Sequence, residues 1–223
     1  MATLLDIYNE FSGIINDTSW DLPTSVKLMN RCIREISGQV LLPDLETIAN
    51  ITTSADPTAQ FIELPNNYQR HLSFCHSITN NRRVKIYGSV PLLYKDFCNL
   101  SLNGMVYGIA VMNTKMYYYR LPGTPETLLI NYWSNPTMYT ATDIPTILPP
   151  TLHSDLLLNF LLWKSYAIIE EGLDGQKVQT KYYKQEYMDA LANLSAFVGA
   201  ERSVPVHIQD ESHINAYSNF YLW

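Results

Sequence analysis

The carboxylates near residue 170 are the side chains in this sequence best suited to acid–base chemistry. Glu170 and Glu171 are adjacent, and Asp174 follows three residues later. A glycoside hydrolase needs two carboxylates about 5–10 Å apart across a cleft, one of them with a raised pKa. Acidic residues at the C-terminal end of a helix can produce the same pattern without any catalytic role, and we favour that interpretation.

A short basic run is the second candidate. Arg82, Arg83 and Lys85 could contact DNA phosphates, and the nearby Tyr117–Tyr119 run could stack on bases as in single-strand binders. Basic residues on an edge strand also deter unwanted strand pairing, and we prefer this second interpretation. The same three residues could also form an inter-subunit contact.

Metal and cofactor chemistry has little support in this sequence. His71 and His76 lie five residues apart in a predicted strand, so we expect them on opposite faces, where they make a poor metal pair. His153, His207 and His213 are isolated. No phosphate-binding, dinucleotide-binding, zinc-protease or nucleophile-elbow pattern occurs. We therefore expect no catalytic residue, no metal and no cofactor.

The composition is that of a globular protein with a large core. Of 223 residues, 47% are hydrophobic, and the 16 tyrosines suit surfaces that become buried in a complex, although a tyrosine-rich core is an equal alternative. The net charge of -6 argues against a protein that grips nucleic acid. Cys32, Cys75 and Cys98 have no paired spacing and indicate buried side chains in a reducing compartment. No secretion signal is visible, and Leu156–Ile169 is too short to span a bilayer.

Helical periodicity marks both ends of the chain. Apolar residues recur at helical spacing from Thr3 to Ile15, where Thr3 and Asp6 form a candidate N-terminal capping pair, and from Pro23 to Val40. Near the other end, Leu152–Glu171 is apolar almost all round, which predicts a helix covered by neighbours on most sides. A second C-terminal helix is predicted over Gln176–Val198.

The middle of the chain has short runs that are typical of strands. A hairpin is predicted at Asn113-Thr114, and a short helix over Tyr94–Leu100. The predicted strands are Glu46–Thr52, Gln60–Leu64, Gln69–His76, Arg83–Tyr87, Gly104–Met112, Lys115–Arg120 and Thr127–Trp133.

These elements predict an α+β fold with a core bundle of about four helices, two N-terminal and two C-terminal. We expect the first pair in residues 1–44, a β-rich insertion in 45–133, a proline-rich linker in 134–150 and the second pair in 151–200. Residues 201–223 form an extended C-terminal arm in this prediction. The arm has no helical or alternating period, yet it carries Tyr217, Phe220, Tyr221 and Trp223. We expect these aromatic residues to dock on a neighbouring protein, although docking on the chain's own body is a common alternative.

Charge is unevenly distributed along the chain. Residues 1–57 hold eight acidic and three basic side chains, whereas residues 58–96 hold two acidic and five basic ones. Opposite patches on one subunit suit head-to-tail contacts between copies. Separate solvated faces of unrelated elements are at least as compatible with this distribution.

The order of three segments resembles a known class of viral proteins. They are the amphipathic helix LMNRCIREISGQV (28–40), the β segment FIELPNNYQRHLSF (61–74) and the run from Tyr107 to Gly172, which includes YYYRLPGTPETLLINYW and LLNFLLWKSYAIIEEG. In this order they resemble the head-to-tail adaptor (head completion or tail accessory) proteins of tailed bacteriophages, especially short-tailed phages. Similar proteins often have Gly-x-Pro before the hairpin, where this chain has Asn103-Gly104-Met105. The resemblance extends to about residue 200.

The resemblance implies a structural protein of the virion that is not an enzyme. It implies a ring, typically of twelve copies, which lies beneath the portal, extends the DNA channel and carries the tail nozzle and fibres. Passing contact with genomic DNA follows, with no membrane contact, and the protein is expected in the host cytoplasm before assembly into the virion. Some tail-associated phage proteins degrade peptidoglycan, so a muralytic enzyme using Glu170 is one alternative. A DNA-binding module using Arg82, Arg83 and Lys85 is the other.

Overall fold

The computed structural model describes residues 2–17, 19–54, 56, 60–96, 102–171 and 177–202, with side chains as far as residue 199. The chain divides into two compact units. The first, called here the helical unit, comprises Met1–Leu42 and Met138–Trp223. The second, called the β unit, is Pro43–Thr137.

The first two helices of the helical unit begin at side-chain caps. Helix α1 spans Leu4–Ile15, and Thr3 and Asp6 form the predicted capping box at its start. Helix α2 spans Leu22–Gln39, and the Asp21 carboxylate accepts a hydrogen bond from the Thr24 amide at 2.9 Å. Both helices lie where the sequence predicted them.

The last two helices pair with each other. Helix α4 spans His153–Ile169 and packs against α1, α2 and α5, where α5 spans Val178–Arg202. Because α4 touches three neighbours, nearly all of its side chains as far as Ala167 are buried or half-buried, and the prediction of a helix covered on most sides is confirmed. Helix α5 buries one stripe, formed by Tyr187, Ala190, Leu191, Leu194 and Val198.

The β unit contains two four-stranded sheets and a short helix. The strands are β1 (Glu46–Thr52), β2 (Phe61–Glu63), β3 (Tyr68–Ser77), β4 (Arg82–Arg83), β5 (Lys85–Tyr87), β6 (Gly108–Met112), β7 (Lys115–Tyr119) and β8 (Thr127–Ser134). The first sheet has the order β1-β8-β3-β4, and the second has the order β2-β7-β6-β5. Helix α3 is Val90–Lys95. Strands β6 and β7 form the predicted hairpin, with Asn113 in the left-handed region at φ 57°.

Several predicted elements of this unit have different bounds. The run predicted as one strand over Arg83–Tyr87 is interrupted at Val84, where the chain passes from the first sheet to the second. The strand predicted from Gly104 begins only at Gly108. The short helix predicted over Tyr94–Leu100 is α3 instead, which begins earlier because Ser89 caps it. Residues 97–101 lie outside the described chain.

The predicted core bundle of about four helices with a β-rich insertion is wrong. The described chain is an α+β protein with five helices and two four-stranded sheets, and no four-helix core with an insertion is evident. The physical reason is that the strands bury one another. Alternating side chains of both sheets form a separate core that includes Cys75, Ile109, Tyr118, Ile130 and Tyr132. The arm, residues 201–223, lies beyond the described side chains. None of the helices in the described residues is long and apolar enough to cross a bilayer.

Candidate interaction surface

An aromatic cluster holds α4 and α5 together. The Trp163 ring stacks on the Tyr187 ring with centroids 5.8 Å apart, and Phe160 meets both rings edge-on. One turn further along, the rings of Tyr166 and Tyr183 stack with centroids 5.4 Å apart. Part of the tyrosine content therefore serves the core of this helix pair, as the alternative interpretation of the composition anticipated.

The same helix pair ends in exposed apolar side chains. Ile168 is 59% exposed at the end of α4, and Val178 and Tyr182 are 58% and 54% exposed in the first turns of α5. Ile169 is also exposed. We call these four residues the hairpin tip. Apolar side chains concentrated at one place on a surface are typical of a contact with another protein.

Cations lie on the aromatic cluster beside the hairpin tip. The Lys164 ammonium is 3.7 Å from the centroid of the Trp163 ring, and the Lys184 ammonium is 5.7 Å from it. Partial burial lowers the pKa of Lys164, because desolvation disfavours its charged form. On α2, Arg31 pairs with Glu35 at 2.8 Å.

Glu170 is a structural residue of this helix pair. Its carboxylate accepts hydrogen bonds from the Thr180 hydroxyl at 2.7 Å and from the backbone amides of Gln179 and Thr180 at 3.1 Å each. It thereby caps the first turn of α5. The hydrogen bond from the Thr180 hydroxyl is the main cause that lowers the pKa of Glu170. A general acid for glycoside hydrolysis needs the opposite shift. Glu171 is exposed, and Asp174 lies outside the described residues.

The basic run lies on short edge strands of the β unit. The Arg82 guanidinium donates to the Val106 carbonyl oxygen, Arg83 is exposed, and the Lys85 ammonium is 4.5 Å from the Tyr87 ring centroid. The tyrosine run gives no continuous stacking platform. Tyr118 and Tyr119 are buried in two different clusters, and only Tyr117 is half-exposed.

The histidines are dispersed. His153 is buried and its Nε2 bonds to the Leu148 carbonyl at 3.0 Å. His76 stacks on Phe74, and the exposed His71 meets the Trp133 ring edge-on. Strand β3 has register irregularities between Tyr68 and Phe74, so strand alternation no longer determines the face on which His71 lies. In the part of the chain that the structure describes, no three metal-ligating side chains come together. His207 and His213 lie outside it.

Cysteine burial agrees with the expectation of small apolar side chains. Cys32 and Cys75 are fully buried, and burial raises the pKa of both thiols, that of Cys75 to about 12. Cys98 lies outside the described residues.

No sequence pattern indicated one buried carboxylate in the β unit, that of Glu126. Glu126 is 1% exposed, and its side chain accepts hydrogen bonds from the Ser77 hydroxyl, the Asn80 amide and, at 2.8 Å, the Val106 backbone amide. Its own backbone amide donates to the Thr53 hydroxyl at 2.8 Å. Glu126 therefore joins four segments that are distant in sequence.

The two charged patches expected from the sequence are redistributed by the fold. The acidic residues of the first 57 positions are divided between the two units, with Asp6 and Asp21 in the helical unit and Asp44, Glu46 and Asp56 in the β unit. The basic residues of 58–96 all belong to the β unit. Tyr217, Phe220, Tyr221 and Trp223, the predicted contact residues of the arm, lie outside the described residues. Their role stays a prediction.

In comparisons of the sequence, no protein-family model and no curated protein matches the chain.

Proposed function

We propose that this chain is a head-to-tail adaptor of a tailed bacteriophage, a virion structural protein and not an enzyme. In this proposal, copies form a ring, of twelve as is typical of the proteins it resembles, beneath the portal. The ring extends the DNA channel and carries the tail nozzle and fibres. The resemblance of the ordered segments to such adaptors supports this proposal from the sequence side.

The hairpin tip is the observation that carries the proposal. Its four exposed apolar side chains, Ile168, Ile169, Val178 and Tyr182, would be costly to leave in water, and burying them against a neighbouring copy removes that cost. The neighbouring cations, Lys164 and Lys184, could fix the orientation of the partner by charge.

The position of Glu170 supports a structural role over the muralytic alternative. Its carboxylate is fully engaged in capping α5, and its lowered pKa keeps it ionised and unable to donate a proton near neutral pH. The net charge of -6 supports a channel wall that lets DNA slide through.

Mixing the purified protein with its cognate portal protein tests the proposal. At micromolar concentration we expect single copies alone and a ring when portal is present, as seen by sedimentation velocity and negative-stain electron microscopy. An Ile168→Ser/Tyr182→Ser variant should associate at least tenfold more weakly, because apolar contact area is lost. Ile78→Ser/Met112→Ser, in which two comparably exposed apolar residues of the β unit are changed, is the matched control.

Two results would contradict the proposal. One is the absence of any portal-dependent assembly. The other is release of dye from labelled peptidoglycan by the wild-type protein that is abolished in Glu170→Gln.

Deleting residues 201–223 should weaken association with portal, and unchanged binding would refute the role proposed for the arm.

A further inference from the structure

The β unit has a pocket whose lining includes two cations without a carboxylate partner. The pocket has a volume of about 400 Å³, and Ser73, Arg83, Lys85 and Ile86 are among the residues that line it. Arg83 is exposed, and its side chain makes no hydrogen bond or ion pair within the described residues. The Lys85 ammonium lies 4.5 Å from the Tyr87 ring centroid, and no carboxylate of the described chain pairs with it. The pocket is therefore suited to an anionic group.

A carboxylate from a protein fits this pocket better than a DNA phosphate. Proteins that bind DNA neutralise several phosphates along the backbone, whereas this pocket offers two cations in a chain of net charge -6. The half-buried Leu72 and Ile86 also line the pocket, and they suit the aliphatic part of an acidic side chain.

The two units of the chain carry charge of opposite sign. The helical unit contains fifteen acidic and eight basic residues, whereas the β unit contains six acidic and seven basic ones. Charge complementarity therefore favours a contact between the helical unit of one copy and the β unit of another. A contact of this kind joins two different surfaces, so it can be repeated from copy to copy until a ring closes.

Helix α5 presents a row of side chains with the complementary charge. Val178, Tyr182, Glu186 and Asp189 follow one another at spacings of four, four and three residues, so they share one face, and all four are exposed. The first two belong to the hairpin tip. The Glu186 carboxylate makes no hydrogen bond or ion pair within the described residues, and Asp189 accepts a hydrogen bond from the Gln185 amide at 2.8 Å.

The two carboxylates of this row are not neutralised by their own helix. No lysine or arginine of α5 lies three or four residues from Glu186 or Asp189, which are the spacings at which an ion pair could form along the helix. The row thus combines apolar side chains at the hairpin tip with two anions that lack a partner on α5.

We propose that this face of α5 in one copy docks on the pocket of the β unit in a second copy, where Glu186 and Asp189 face Arg83 and Lys85. The inference rests on the proposed ring and names the surface next to which the hairpin tip is buried. Exposed ion pairs contribute little each, so these pairs set the orientation of the two copies, and the hairpin tip supplies apolar contact area.

Cross-linking with a carbodiimide tests the contact in the full-length protein. The reagent joins a carboxylate to an amine as an amide, and it takes up the water that is lost. We mix equal amounts of ¹⁵N-labelled and unlabelled protein, without portal and well above micromolar concentration. Mass spectrometry should show Lys85 joined to Glu186 or Asp189 in products with one labelled and one unlabelled half. The exposed Lys27 is the control amine and should give no such product.

The salt dependence of the same product provides a second measurement. Its yield should fall at least fivefold at 1 M salt, where charges are screened beyond about 3 Å. Products whose two halves always carry the same label would place the contact within one chain and overturn docking between copies. The absence of any product would overturn the contact itself.

Charge reversal tests the contact without a reagent. Arg83→Glu/Lys85→Glu and Glu186→Lys/Asp189→Lys should each weaken dimerisation at least tenfold in sedimentation equilibrium, because like charges then face each other. Their equimolar mixture should recover the wild-type association. In the mixture, the reversed pocket of one variant meets the reversed helix of the other, and the two unchanged surfaces also meet. A mixture as weak as each variant alone would overturn the proposal.

Matched reversals elsewhere control for net charge. Lys27→Glu/Arg34→Glu and Glu10→Lys/Asp44→Lys change exposed residues by the same amounts of charge and should associate as the wild type does. The adaptor role is tested separately. Recovery of the mixture without any portal-dependent ring would retain the contact and refute the adaptor role. A portal-dependent ring that neither reversal weakens would overturn the contact and retain the adaptor role.

Discussion

The two units of this protein anchor their polar groups in different ways. In the helical unit, carboxylates lie at helix ends and turns and bond to backbone groups a few residues away, as Asp6 does in the first turn of α1 and Asp21 does in front of α2. In the β unit, the buried Glu126 bonds to groups at Ser77, Asn80 and Val106, which are 20 to 49 residues away in sequence. Local anchors can be recognised in a sequence, whereas a long-range anchor cannot, because nothing near Glu126 in sequence identifies its partners.

The units also differ in how their apolar elements are covered. In the helical unit, α4 contacts three helices, whereas α5 buries one stripe of its side chains among the described residues, and the hairpin tip is exposed where these two helices meet. In the β unit, the two sheets share one main core, and most exposed apolar side chains lie in turns and connections, as Ile78 and Met105 do.

The largest effect is expected in the core of the helical unit. Phe160→Ala should lower the free energy of unfolding by about 3–5 kcal/mol, because it leaves a cavity next to Trp163 and Tyr187. Hydrogen exchange measured by mass spectrometry should show the loss of protection first in α4 and α5. Asn159→Ala, at a half-buried neighbouring position, is the control. If protection falls equally in both units at once, the units are not independent in stability.

The next largest effect is expected at the long-range anchor. Glu126→Gln should lower the free energy of unfolding by about 2–3 kcal/mol. Both carboxylate oxygens of Glu126 accept hydrogen bonds, and the substitution replaces one of these oxygens by an NH₂ group, which cannot accept. Loss of exchange protection should be concentrated around Thr53, Ser77 and Val106. The exposed Glu63→Gln is the matched control and should change stability by less than about 0.5 kcal/mol. A similar small effect at Glu126 would show that the buried carboxylate is not an anchor.

A local anchor should matter less. Thr3→Ala should lower the free energy of unfolding by about 1 kcal/mol, because it removes one half of the capping box of α1. Chemical denaturation followed by circular dichroism is a sufficient measurement. Thr3→Ser, which keeps the hydroxyl, should restore most of the loss, and a Ser variant as unstable as the Ala variant would contradict capping.

The accuracy of the sequence-based predictions follows the same division. The capping box of α1 and the enclosed character of α4 were predicted, because each depends on residues within a few positions of one another. Strand β1 was predicted with its correct bounds, because Glu46–Thr52 is rich in β-branched residues and pairs without irregularity. The overall arrangement was predicted wrongly, because local patterns do not indicate that residues 45–133 form two sheets with their own core.

The candidate site shows the same limit. Glu170 was singled out for its carboxylate neighbours, but its structural role depends on Thr180, across the connection between α4 and α5. Arg82 was interpreted as an edge-strand charge, with a phosphate contact as the alternative, and its guanidinium donates to the carbonyl of Val106, in a loop 24 residues away. In both cases the residue type was recognised and the partner that decides its role was not.

The smallest change in stability per residue is expected when the pH is lowered, and it should occur in the helical unit. The pKa values of Asp6, Asp21 and Asp143 are lowered, because neighbouring Thr3, Thr24 and Thr140 donate hydrogen bonds to their charged forms. A lowered pKa in the folded state means that the stabilisation is fully present above the ordinary value of 3.8 and is lost as the pH falls through the folded value.

All five carboxylates whose pKa is lowered among the described residues lie in the helical unit; the other two are Asp17 and Glu170. Hydrogen exchange between pH 5 and pH 3, corrected for the intrinsic rate, should therefore show protection falling in α1 and α2. Asp21→Asn should flatten this dependence at α2, and a helical unit equally stable at both ends of that range would contradict the local-anchor explanation.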